Sequence, residues 1–193
     1  RSLDKTGKVN DGEIAKATAR LLDKEKVALY FDSPAGAEDG VRREAELVAR
    51  CVNLTIAQTA AEYAPFRAEK VVEAENGVIA LDTFEENVTE ILFAEDEAGN
   101  RLRIRRGAGY IRTVPGKIRV TYAYLPEKFS AADEVVFSDR RVSEGLIAYG
   151  AAAEYCLVAG LFDEAVVWNE RYADCVKKTL PGKNKIIAER AWI

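Results

Sequence analysis

Histidine is absent from this chain of 193 residues. That removes the commonest general base, the usual partner of a serine or cysteine nucleophile, and the commonest metal ligand. Carboxylate-only catalysis remains possible in principle. Cysteine is scarce: Cys51, Cys156 and Cys175 are odd in number and form no CxxC. All three sit in helical, largely apolar stretches, so they read as small buried thiols rather than a disulfide framework. No apolar run approaches the roughly 20 residues of a membrane helix. No signal-peptide pattern opens the chain, and its start at Arg1 instead of Met reads as that of a fragment. There is no glycine-rich phosphate loop and no nucleophile elbow. An excess of positive charge is also missing: the formal net charge is -4 and the pI about 5.2. A general nucleic-acid binder would need clustered Lys and Arg to neutralise phosphates.

What is present is 48% hydrophobic residues, enough for one domain with a core or one core plus an inserted subdomain. Residues 1–10 read as an N-terminal arm. Within them, "DKTGKVNDG" fails as a calcium loop because its acids miss the alternating ligand positions. Asn10 or Asp11 caps a helix, with Glu13 close behind and Ile14, Thr18, Leu21 and Leu22 on one face. "DSPAGAEDG" (32–40) has loop composition. A second helix is predicted from about Arg42 to Tyr63. Leu47, Cys51, Leu54 and Ala61 form one stripe on it, and Val48, Val52, Ile56 and Tyr63 an adjacent one. Such width implies more than one neighbour. Pro65 ends it.

The hydrophobic period then changes to two. "KVVEAE", "GVIAL", "TEILFAE", "RLRIRR", "GYIRT" and "KIRVTYAY" read as five or six short strands of one antiparallel sheet. Turn signals at Asn76-Gly77, Ala98-Gly99-Asn100, Arg106-Gly107 and Pro115-Gly116 separate them. A return loop, "LPEKFSAADEVVFSD", leads to Asp139, which can cap the next helix. The expected class is α+β: a helical bundle with an inserted small antiparallel sheet and extended terminal arms. Its parts are the arm 1–10, helical residues 11–66, the β subdomain 67–126, the return loop and helix hairpin 127–180, and a C-terminal arm 181–193 that begins where Pro181-Gly182 stops the helix.

The hairpin pairs a thin helix with a bulky one. Val142, Leu146, Gly150, Ala153 and Leu157 recur at helical spacing on the first, and Leu161, Ala165, Trp168, Tyr172 and Cys175 on the second. Small residues on one helix admit the rings of its neighbour, and a short link at Gly160 makes the pair antiparallel.

Two runs carry a resemblance. Residues 90–128, "EILFAEDEAGNRLRIRRGAGYIRTVPGKIRVTYAYLPEK", show a strand, an acidic-glycine turn, a basic strand, a short strand and a strand ending in Tyr. Residues 143–176, "SEGLIAYGAAAEYCLVAGLFDEAVVWNERYADCV", form a helix pair with Glu170, Arg171 and Tyr172 near its end. In these runs and their order the chain resembles the adaptor, or head–tail connector, proteins of tailed bacteriophages, of the tail tubular protein A type. The N-terminal 40 residues carry less of the likeness. The resemblance implies a non-enzymatic virion protein at the head–tail junction, made in the bacterial host cytoplasm. It implies a homo-oligomeric ring of about twelve subunits that docks on the portal protein above and on tail or nozzle proteins below. DNA would pass through the lumen without sequence-specific binding, and neither cofactor, metal nor membrane is implied. A tail-completion module of similar topology is the alternative. An enzyme built on carboxylates from Asp133, Glu134 and Asp139 is a more remote one, since such residues commonly solvate loops and cap helices.

Two regions are candidate contact surfaces. Residues 101–128 hold Arg101, Arg103, Arg105, Arg106, Arg112, Lys117, Arg119 and Lys128 against Glu127 alone. On a strand over 101–106 the arginines would share one face and Leu102 and Ile104 the other. The turn before it, Glu95-Asp96-Glu97, is acidic. The ordinary expectation is a solvated face. A ring contact is the alternative, because head-to-tail association needs two complementary patches per subunit. A lumen that lets DNA slide should not grip phosphates. The second region is the C-terminal arm, where Lys183, Lys185, Ile186, Ile187, Arg190, Trp192 and Ile193 suit docking onto the portal or a neighbouring subunit, or folding back on the domain.

Overall fold

The first helix begins at its expected cap. In the computed structural model, which describes residues 8–84, 87–125 and 135–180, Lys8–Val9 form a short strand, β1. Asn10 follows, and its side-chain oxygen accepts the backbone N–H groups of Gly12 (2.9 Å) and Glu13 (3.3 Å). These are two of the donors a helix start leaves orphaned. The helix, α1 (Asp11–Leu21), buries Ile14, Ala15, Thr18 and Ala19. Asp23, with φ of 56°, breaks the chain. A further helix follows, α2 (Glu25–Asp32), which the sequence reading leaves unassigned. It is one short amphipathic element with no side-chain cap at Lys24, and only Val27 and Ala28 of it are buried.

The long helix α3 (Asp39–Glu62) starts nearly a turn earlier than expected. Its core line is Val48, Val52 and Ile56, with Cys51 beside it. The outer half of the broad stripe is not buried: Leu54, Ala61 and Tyr63 face solvent. Buried threonines in α1 and α3 satisfy their hydroxyls within the helix, Thr18 on Ile14 O (2.8 Å), Thr55 on Cys51 O (3.0 Å) and Thr59 on Thr55 O (2.8 Å).

After Pro65 the chain enters the β subdomain. Its strands are β2 (Phe66–Ala74), β3 (Val78–Ala80), β4 (Asn87–Glu95), β5 (Arg101–Leu102), β6 (Arg105–Arg106), β7 (Tyr110–Arg112) and β8 (Gly116–Leu125). All pairings are antiparallel, as expected, but they form two sheets and not one meander. One has the order β2-β8-β4-β5 and the other β3-β7-β6. The "RLRIRR" segment is therefore not a single strand. Leu102 pairs with Ala94 in the first sheet and Arg105 with Arg112 in the second, so the chain changes sheets across Arg103-Ile104. Register shifts in β4 between Val88 and Glu90 and between Ile91 and Phe93 bend it. Val72, Ile79, Phe84, Ile111, Ile118, Val120 and Tyr122, from both sheets, form a common core, with Leu102 and Ile104 packed on it.

The return strand β9 (Val135–Val136) pairs with β1, Lys8 opposite Val136, so the last part of the expected N-terminal arm is tied to the body. Ser138 N–H donates to Pro65 O (2.7 Å), and Phe137 packs on Phe66 (5.2 Å between rings). Asp139 does not cap the next helix. Its carboxylate accepts Arg141 N–H (2.9 Å) and the Arg141 guanidinium, which pulls its pKa down. The cap is Ser143, whose Oγ accepts Leu146 N–H (3.2 Å).

The hairpin that closes the bundle consists of α4 (Glu144–Val158) and α5 (Phe162–Thr179). α4 is apolar on nearly all sides and contacts α1, α3 and α5, as a central helix should. A Cβ at Gly150 would lie 2.5 Å from Thr55 Cγ2 and 3.1 Å from the Tyr172 ring. The missing side chain lets α3 and α5 close on α4, and Thr59 Oγ1 and the Tyr172 hydroxyl bond there at 3.0 Å. The turn is closed at Gly160 (φ 76°), with Gly160 N–H on Leu157 O (3.2 Å) and Leu161 N–H on Cys156 O (2.8 Å).

Two substitutions on α4 separate propensity from packing. Gly145→Ala is exposed and meets nothing closer than Ser143 Oγ at 4.0 Å, so it should stabilise by about 0.5–1 kcal/mol. Gly150→Ala gains the same propensity but must displace a stiff threonine and a buried ring, at about 1–3 kcal/mol. Urea titrations should move the two midpoints in opposite directions.

Candidate interaction surfaces

The acidic turn and the basic strands, separate in sequence, adjoin in space. Asp96 is consumed by the turn itself. Its carboxylate accepts the backbone of Ala98 (2.9 Å) and Asn100 (2.8 Å) and the Asn100 amide (3.0 Å). These bonds, the Asn100 side chain first, hold its pKa below the usual aspartate value. Glu95 faces Arg101 across the β4–β5 ladder (3.9 Å), and Glu97 meets Lys117 (3.8 Å). Exposed pairs at such distances contribute little stability. They do show that the two signs interleave on one outer face of the larger sheet, instead of forming two separate patches. Arg101 also lies over the Phe93 ring at 4.1 Å, with Arg67 at 5.5 Å from the same ring. Val71, Asp96, Glu97, Lys117 and Arg119 line a groove of about 220 Å³ here.

The smaller sheet carries the basic charge that remains. Arg105 stands directly opposite Arg112, and Val78 continues the row. Like charges in a cross-strand pair repel. Arg106 is held by Thr89 O (3.2 Å) and Arg112 lies 5.5 Å from the Tyr110 ring. Among the described residues, no carboxylate pairs with Arg103, Arg105 or Arg112. Of the sequence-predicted charged residues, the structure thus brings Glu95, Glu97 and Arg101 together with Lys117, places Arg103 and Arg105 apart from them, and gives Asp96 to the turn.

In the helical body the main polar cluster is structural. Lys24 Nζ contacts Glu44 Oε1 (2.6 Å) and the Tyr155 hydroxyl donates to the same oxygen (2.7 Å), with Lys24 5.3 Å from the Tyr155 ring centre. The hydrogen bond from Lys24, then that from Tyr155, depresses the Glu44 pKa. Cys51 and Cys156 are buried and Cys175 half-buried, all free. Burial pushes the Cys51 thiol up to about 11, which makes it unreactive. An open groove of about 380 Å³ lies between α2 and the start of α3, lined by Lys26, Leu29, Tyr30 and Val41 among others. Asp32 at its edge is paired with Lys16 (2.6 Å).

The structure also exposes a surface the sequence reading counts as packing. Leu157 and Leu161, assigned to the hairpin's internal stripes, face solvent, and so do Val158, Phe162, Val166 and Val167. Only Ala165, Tyr172 and Val176 of α5 are buried. Trp168 is half-buried and stacks on Tyr149 (6.0 Å, 19°), with the Arg171 guanidinium 4.9 Å from it. The signal was the second apolar line, Phe162 and Val166, one turn apart on α5 and off the buried stripe. The arm residues Lys183, Lys185, Ile186, Ile187, Arg190, Trp192 and Ile193 lie outside the described residues, as do Asp133 and Glu134.

Among the described residues, no group of three His, Cys, Asp or Glu could hold a metal ion, and no helix is long and apolar enough to cross a membrane. No family model matches the chain, and no curated protein matches it in sequence.

Two measurements follow from these electrostatics. Because the folded pKa of Glu44 is depressed, its contribution is present above the ordinary glutamate range and is lost as pH falls through the folded value. Glu44→Gln should lower stability at neutral pH and flatten the acid limb of a stability–pH curve. Arg105→Glu, placed opposite Arg112, should raise the thermal midpoint slightly at low salt, with the gain shrinking as salt is added.

Proposed function

We propose that this chain is a subunit of the connector, or adaptor, ring that joins the portal to the tail of a tailed bacteriophage. The observation that carries this reading is the element order. A helical body is interrupted between α3 and α4 by an antiparallel β subdomain and is then closed by the α4–α5 hairpin. The two runs that resemble connector proteins fall on these parts: the described residues of the first, 90–125, on β4 to β8, and residues 143–176 on the hairpin. Glu170, Arg171 and Tyr172 divide their roles. Tyr172 is buried against Gly150 and Thr59, while Glu170 and Arg171 face outward.

The work of such a subunit is association. Apolar surface left open on the monomer supplies affinity when covered, and charged surface sets register and rejects wrong partners. The solvent-facing part of α3, the hairpin tip and the mixed-charge face of the larger sheet are surfaces of this kind. The arm 181–193 serves the portal or the neighbouring subunit. DNA in the lumen is a passing cargo, consistent with a net charge of -4. In this reading the protein belongs to the virion, at the head–tail junction.

Native mass spectrometry of the purified chain, alone and mixed with the portal protein of the same phage, tests the proposal. A ring of about twelve subunits, or a monomer that becomes one on the portal, is the expected result. A chain that stays monomeric and ignores the portal overturns it. A small oligomer that binds the far end of a tail tube instead would identify a tail-completion protein.

A further inference from the structure

We propose that the α4–α5 tip is the receptor for residues 183–193 of a second copy of the chain, so that subunits join head to tail. The inference rests on the ring reading for its closure, though the pairwise contact stands without it.

The tip is the densest exposed apolar surface among the described residues. Val158 is 64% exposed, Phe162 66% and Val166 58%, with Leu157, Leu161 and Val167 around them. The other large exposed apolar residues, such as Leu29 on α2, Leu54 on α3 and Val71 on β2, are spaced singly along their elements, which is ordinary. Six within one turn and the start of one helix is not. The charge within the tip's own stretch of chain has one sign, with Lys24 on the Tyr155 ring and Arg171 on Trp168 at its border. From residue 154 to residue 170 the chain carries Glu154, Asp163, Glu164 and Glu170, and no Lys or Arg. A partner for this surface must be apolar and basic.

Residues 183–193 have that chemistry. Ile186, Ile187, Trp192 and Ile193 are interleaved with Lys183, Lys185 and Arg190, against Glu189 alone. Geometry favours a second copy as the donor. The segment leaves α5 at Leu180, the end opposite the tip. Asp163 lies about 26 Å back along the helix at 1.5 Å per residue, whereas Lys185 is at most about 18 Å from Leu180 at full extension. Folding back in its own chain, the segment can carry Arg190, Trp192 and Ile193 to the tip, but the backbone of Lys183 and Lys185 stops short of Asp163 and Glu164. Only a segment from another subunit can lay its whole length, from Lys183 to Ile193, on the tip. Tip and segment are different surfaces, so the contact is heterologous. Such contacts close into a ring when the rotation permits.

The test uses full-length variants. In one, Ile187→Asp and Trp192→Asp disable the segment and leave the tip free. A synthetic peptide of residues 181–193, titrated onto it, should bind, and more weakly as salt rises. Adding Phe162→Asp and Val166→Asp should weaken binding by about a hundredfold. Glu164→Lys, which needs no apolar change, should weaken it about tenfold and be partly rescued by a peptide carrying Lys185→Glu. Mixing the segment-disabled chain with one carrying only Phe162→Asp and Val166→Asp should give a heterodimer that grows no further, since each has one working surface. No peptide binding, binding indifferent to the tip substitutions, or a mixture that stays monomeric would overturn the proposal. A ring that persists in the tip variant would sink this contact and leave the connector reading standing. Peptide binding at the tip with a monomeric wild type would show that the segment folds back on its own tip and would overturn the second-copy contact.

Discussion

The helical body depends on the approach of three helices at Gly150. α3 and α5 both close on the face of α4 that lacks a side chain, and their own Thr59 and Tyr172 hydroxyls meet beside it. The tyrosine brings a large apolar ring to a site with little room, and its polar tip is buried with a partner, so the desolvation cost is met locally. A central helix of this kind has neighbours on most of its circumference. An outer helix has few. α5 packs on one narrow stripe, with Trp168 and Cys175 half-buried at its edge, and Phe162, Val166 and Val167 stay in water. The close packing in the middle and the open surface at the tip are therefore two results of one arrangement.

Much of this was legible in the residues because the signals were local. Asn10 caps α1, Asn76-Gly77 sits between β2 and β3, the period changes at the first strand, and Gly160 ends α4. What escaped were features that composition and period alone do not decide. α2 is too short for its period to register. Asp139 has the chemistry of a helix cap, but Arg141 claims its carboxylate and Ser143 takes the position. The arginine-rich run alternates like one strand, yet the chain crosses between sheets inside it, Leu102 pairing with Ala94 and Arg105 with Arg112. The apolar stripe on α5 was visible, but periodicity cannot say whether a stripe is covered.

Charge shows the same difference between order in the chain and order in space. Glu95 and Glu97 precede the arginines in sequence, and the β4–β5 ladder and the neighbouring β8 fold them back beside Arg101 and Lys117. A run of one sign in a sequence is thus a poor measure of the field that a partner meets. Among the described residues, the cross-strand pair of Arg105 and Arg112 is the part of that field that no carboxylate answers.

The insertion point of the β subdomain has a consequence for how the bundle assembles. α3 and α4 pack together, yet the chain between them runs from residue 63 to residue 143. β2 and β8 pair along their whole length, Phe66 opposite Tyr124, and Phe66 also bridges to Phe137. Once that strand pair exists, the exit from α3 and the approach to α4 are already side by side. Shortening an effective loop tenfold saves about 2 kcal/mol of closure entropy. The sheet is then a clasp as well as an appendage: it shortens the search by which two distant helices find each other, and it brings the long-range contacts of the bundle within reach of a much more local folding route.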